Sequence, residues 1–89
     1  MSVKDLINCR LAEAFAPSAL VVADESHLHA GHAGWREQGE THFRVDIVSS
    51  AFAGKSRVER HRLVNAALQE AFGRGLHALA IRARAPGEA

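Results

Sequence analysis

The stretch "ETHFRVDIVSS", residues 40–50, alternates strictly between apolar and polar side chains. Phe43, Val45 and Ile47 fall on one side and His42, Arg44 and Asp46 on the other, which is the two-residue period of a half-buried strand. A strand of this kind needs an apolar cover for one face, and the flanking sequence supplies it. Downstream, "SRVERHRLVNAALQEAFGRG" (56–75) reads as one long helix. Ser56 and Glu59 have the spacing of a capping box, Leu63, Val64, Ala67, Leu68, Ala71 and Phe72 form the buried stripe, and Gly73 and Gly75 close it. Upstream, Val3, Leu6, Ile7, Leu11, Ala14 and Phe15 share a second helical face, with Ser2 as N-cap and Pro17 as the stop.

Two further runs complete the set. "ALVVAD" (19–24) reads as strand one and "LHALAIRAR" (76–84) as strand three. In strand three, His77, Leu79 and Ile81 fall on one side and Leu76, Ala78 and Ala80 on the other. The order helix, strand, strand, helix, strand predicts an α+β domain. Strands one and two pair as a hairpin, and the helices cover one face of a three-stranded sheet. Because a helix precedes strand three, parallel pairing is open to it.

Eighty-nine residues, 47% of them hydrophobic, suit a single domain over 1–89 with one modest core. The single cysteine, Cys9, cannot form an internal disulfide, and the N-terminus lacks the charged-then-apolar pattern of a secretory signal. No apolar run approaches the roughly 20 residues needed to cross a bilayer. The expected location is cytoplasmic, with no membrane partner. Cys9 lies off the helical stripe and reads as a small half-buried residue rather than a reactive thiol.

The connection between strands one and two, Glu25 to Gly39, is long for a compact domain, and loops of that length without their own structure usually carry function. It holds His27, His29 and His32 in "ESHLHAGHAG" (25–34), together with Trp35. Charge is also uneven, since residues 1–50 hold four Lys/Arg against seven Asp/Glu, whereas residues 51–89 hold seven against three. The segment "AGKSRVERHR" (53–62) concentrates the surplus in Lys55, Arg57, Arg60 and Arg62 against Glu59. With a helix N-terminus beside it, this is a candidate phosphate or nucleic-acid footprint. His61 borders the buried face of the long helix and reads as structural, and His42, on the polar side of strand two, requires no function. No nucleophile–base pair, paired carboxylates or zinc-protease motif argues for catalysis.

Taken together, "DES", "THFRVDIVSSAFAGKSRVERHRLVNAAL" and "HALAI" resemble the BolA family over roughly residues 3–83. The resemblance implies a fold similar to class II KH domains, with room for a short extra helical turn after strand two. It implies a non-enzymatic protein that pairs with a monothiol glutaredoxin. The pair shares a [2Fe-2S] cluster with glutathione, for iron–sulfur trafficking or iron regulation, and this chain does not hold the cluster alone. The family's strand histidine falls on His77. Its loop histidine falls on His29 when counted forward from "ES" and nearer His32 when counted back from "ETHF"; His29 is the primary reading and His32 the alternate. The resemblance implies as its alternative a DNA-binding transcriptional regulator, for which Lys55, Arg57, Arg60 and Arg62 are the candidate contacts. The G-x-x-G loop with which KH domains clamp nucleotides is reduced to Gly54. Many members carry a C-terminal helix beyond the point where this sequence reads "ARAPGEA", and weak self-association is a further expectation.

Overall fold

The computed structural model describes residues 1–26 and 39–88. Helix α1 (Val3–Phe15) starts where the Ser2 hydroxyl accepts from the Asp5 N–H, as its sequence requires. It ends at Ala16, which adopts a left-handed conformation (φ 42°) and returns its N–H to Ala12 O immediately before Pro17. Strand β1 (Ala19–Asp24) and strand β2 (His42–Val48) pair antiparallel, with Val22 opposite Val45. A short 3-10 turn (Ser50–Phe52) follows, then α2 (Arg57–Ala67), α3 (Gln69–Gly73) and β3 (Ala78–Arg84). Among the described residues the sheet runs β1-β2-β3, and β3 lies parallel to β2 with Ala78 opposite His42. The α+β order and the extra turn after strand two are as expected.

One face of the sheet is covered. Val45, Ile47 and Phe43 of β2 meet Leu6, Ile7 and Leu11 of α1 and Val64 and Leu68 of the second helical segment in a single cluster. Burial of each such side chain is worth about 1.5–3 kcal/mol. Phe52, delivered by the 3-10 turn, is fully buried and sets its ring 5.0 Å from that of Phe15. On the opposite face Arg44 and Ala80 are exposed.

Several local readings need correction. The long helix is two segments: at Leu68 the backbone leaves helical geometry (φ −106°, ψ 18°), and its N–H bonds Asn65 O three residues back. Leu63, assigned to the buried stripe, is 37% exposed, and its neighbour Val64 takes the buried position on that turn of α2. Ala14 of α1, also assigned to a buried stripe, is exposed. In strand three the alternation holds only from Ala78 onward, where the ladder begins. Leu76 is buried and His77 exposed, opposite to the faces assigned to them, because the turn at Gly75 (φ 113°) reorients both before pairing starts.

Candidate functional site

His77 sits immediately before β3, and its position follows from its neighbours. Leu76 inserts into the core with its N–H on Ala71 O, and the next residue is thereby turned outward. The His77 N–H donates to Thr41 O at 2.7 Å, and the Ala78 N–H shares the same carbonyl at 3.1 Å. The His77 backbone is therefore fixed by the sheet ladder while its imidazole is exposed, with no hydrogen-bond partner among the described residues.

Parallel pairing of β3 with β2 brings the N-terminal ends of the two strands together. His42 occupies that end of β2. It is buried to 5% exposure, contrary to the reading that left it on the polar side of the strand with nothing to do. Its Nδ1 lies 2.8 Å from Thr41 Oγ1, and its ring centroid is 5.4 Å from that of His77 at an angle of 53°. Beside it lies a shallow cavity of about 200 Å³ lined by Glu25, His42, Phe43, Ala78, Leu79 and Ala80. Strand alternation identified the outer face correctly, but it could not show that the end of this strand is covered. The available signal was the run Thr41-His42, two hydrogen-bonding side chains at a strand start.

The same end of the sheet anchors the connection between β1 and β2. The Ser26 hydroxyl accepts from the N–H groups of Thr41 (3.0 Å) and His42 (3.1 Å). The Asp24 carboxylate accepts from the Ser26 N–H (2.9 Å) and the Glu40 N–H (3.1 Å). Gly39 has φ 77°, and a Cβ there would approach Asp24 Oδ2 to 3.1 Å, so the clamp closes tightly around a residue without a side chain. His27, His29, His32 and Trp35 lie outside the described residues. What the structure does bring together is His77, His42 and the two residues, 26 and 39, that bracket the histidine segment. No group of three or more His, Cys, Asp or Glu side chains converges as a metal centre among the described residues.

The basic segment is arranged differently from its sequence reading. Lys55, Arg57 and Arg62 are exposed, but Arg60 is not available in the same way. Its side chain is 12% exposed, and its guanidinium donates to Glu88 through both terminal nitrogens (2.6 and 2.9 Å), to Ala83 O and to Lys55 O. The expected free N–H groups at the helix start are also partly taken. Ser56 and Glu59 form the full capping box, with Glu59 N–H on Ser56 Oγ and Ser56 N–H on Glu59 Oε1. That pairing holds the Glu59 carboxyl below its usual range, through the Ser56 N–H first and its hydroxyl second. His61 is half-buried on the wall of the cleft beside these residues. Cys9 donates to Glu13 Oε1, and this bond to a carboxylate pushes the thiol upward in pKa, as befits an unreactive sulfur.

Fold and site together define a small α+β module with an outward-turned imidazole at the end of a mixed sheet and a basic cleft along its edge strand. The family model for BolA-like protein matches residues 11–88, and the chain belongs to the BolA-like family. It is 54% identical over 89 residues to a Sinorhizobium protein described only as uncharacterized in the cobS 5′ region, covering 99% of this chain and 96% of that one. It is 49% identical over 86 residues to human BolA-like protein 1, covering 97% of this chain but 60% of that protein. The solved BolA domain of SufE1 from Arabidopsis thaliana superposes with a TM-score of 0.89 at 46% identity, covering 100% of this chain and 98% of that one. Within the full Arabidopsis SufE-like protein 1, the chain spans 22% of the length.

Proposed function

We propose that this chain is a non-enzymatic adaptor that pairs with a monothiol glutaredoxin and completes a shared [2Fe-2S] site. His77 supplies one nitrogen ligand, and a histidine of the β1–β2 connection, His29 with His32 as alternate, supplies the second. The observation that carries this reading is the exposed His77 imidazole, whose backbone is tied to the sheet beside the anchored ends of the histidine segment. The donor fits the group, since imidazole replaces thiolate on one iron of Rieske-type clusters. An exposed ligand on a rigid strand start can be approached by a second protein. Two imidazoles are half of a four-ligand set, so the chain alone holds such a cluster weakly. The occurrence of a BolA domain within the SufE1 of Arabidopsis supports an iron–sulfur setting.

The test is co-expression with a monothiol glutaredoxin, followed by visible absorption and circular dichroism of the purified pair. A coloured heterodimer is expected, with its spectrum altered by His77→Ala and by His29→Ala. A spectrum altered by His32→Ala but not by His29→Ala would move the loop ligand to the alternate. A colourless pair, or one indifferent to His77→Ala, would remove the proposal. A second reading, DNA binding through residues 53–62, is favoured by the exposure of Lys55, just before α2, and of Arg57 and Arg62 in its first two turns. It predicts a salt-dependent shift of duplex DNA that Arg57→Ala weakens.

A further inference from the structure

The sheet runs β1-β2-β3, so β1 and β3 are both edge strands, and the two edges are finished differently. Along β3, the backbone groups of Leu79, Ile81 and Ala83 alternate away from β2. That edge is blunted, because Arg60 donates to Ala83 O at 3.0 Å and Arg82 and Arg84 place charge along the strand. Such devices keep an edge from pairing with another chain. β1 has none of them. Its first five residues, Ala19 to Ala23, include no charge, proline or glycine. The Glu25 N–H bonds His42 O at 2.8 Å, and with Val21 opposite Asp46 this directs the backbone of the odd-numbered residues of β1 toward β2. The N–H and C=O groups of Leu20 and Val22 therefore face outward, with no hydrogen-bond partner among the described residues. Val21, on the open face of the sheet, is 62% exposed between Ala19 and Ala23.

We propose that β1 pairs antiparallel with the β1 of a second copy of this chain, about a two-fold axis at Val21, joining the two sheets into one. The strand is self-complementary in that register. Leu20 of each copy faces Val22 of the other, and the two pairs use every outward N–H and C=O of these residues. Val21 meets its own counterpart as a non-hydrogen-bonded pair, with Cα atoms about 4.5 Å apart, and its exposed side chain is covered. Ala19 meets Ala23, and Ser18 falls opposite Asp24. The two Asp24 residues stand at opposite ends of the pairing, about 20 Å apart at a strand's rise per residue, so no like charges oppose one another. A charged foreign strand gains no ion pair from Ala19–Ala23, whereas a second copy matches the edge residue for residue. One six-residue strand from each copy makes an interface smaller than the roughly 1,200 Å² of stable complexes. The dimer is accordingly weak, with Kd about 0.1–1 mM, and the expected self-association acquires a defined surface.

The experiment follows the full chain from about 10 µM to about 2 mM by sedimentation equilibrium and by amide hydrogen exchange. A monomer–dimer equilibrium is expected, with exchange at Leu20 and Val22 slowing as concentration rises and exchange at Leu79 and Ile81 unchanged. Val21→Lys sets two like charges face to face at the axis and should abolish the dimer while the circular dichroism of the folded chain is kept. Ala80→Lys, on the same open face but on β3, should leave the dimer intact. In a Cys9→Ser background, Val21→Cys should give a disulfide-linked dimer on mild oxidation, because the Cα separation suits a disulfide, and Ala80→Cys should not. The exchange and disulfide arms decide the matter even if Val21→Lys fails to fold. A chain that stays monomeric throughout, a dimer that survives Val21→Lys, or equal loss in Val21→Lys and Ala80→Lys would overturn the proposal. So would slowed exchange at Leu79 and Ile81 in place of Leu20 and Val22, or equal cross-linking of Val21→Cys and Ala80→Cys.

Discussion

His42 shows how much a single residue can carry that its pattern conceals. Its backbone and ring are both hydrogen-bonded, through Ser26 and Thr41, and its ring abuts His77. His42→Ala leaves a cavity and removes one of the two partners of the Thr41 hydroxyl, the other being Ser26 Oγ, and should cost about 2–4 kcal/mol in chemical denaturation. A loss below about 0.5 kcal/mol would mean the ring is not packed as described. Glu88 provides a second test at this scale. The Arg60 fork first, and the Ala85 N–H second, hold its carboxyl down to about 2. A depressed folded-state pKa means that the contribution is complete above the ordinary carboxylate range, near 4.3, and is lost as pH falls from there through about 2. Glu88→Gln should therefore flatten the acid side of the stability profile between about pH 5 and 2, measured by circular dichroism, while leaving its shape above pH 6 unchanged.

At the scale of elements, local chemistry was legible wherever it acts within one turn. Ser2 and Ser56 cap the helices their spacing assigns them to, and β1 occupies residues 19–24 as read. Ser56→Ala should lower stability by about 1 kcal/mol by thermal denaturation, since it releases the Glu59 N–H. The sequence was silent where tertiary context decides. Helical periodicity runs unbroken from Arg57 to Phe72, so nothing in it marks the break at Leu68. The Leu76–His77 inversion has the same origin: a period of two presumes a strand, and the ladder begins one residue later. Arg60 looked equivalent to its basic neighbours because its carboxylate lies 28 positions away.

For the whole molecule, the core is one cluster of side chains from the helices and from β1 and β2, with Leu79, Ile81 and Ala83 of β3 packed against it, and Phe52 is the largest of its fully buried members. Phe52→Ala should cost about 3–5 kcal/mol and broaden the unfolding transition, because it also removes the ring contact to Phe15. The family could be read from motifs spread along the chain, yet the topology gives them their meaning. Only a parallel third strand sets His77 beside the start of β2. The helix break and the basic cleft, by contrast, depend on packing between segments far apart in sequence.

Ser26 and Asp24 fasten the segment between β1 and β2 at both ends, independently of what lies between. Twelve residues separate Ser26 from Gly39, and in general each doubling of the number of residues between two fixed points of a chain adds only about 0.6 kcal/mol of closure entropy. The length of sequence between these two anchors can therefore change at little cost to the domain beneath, while the backbone of His77 stays held by Thr41 O whatever that length is.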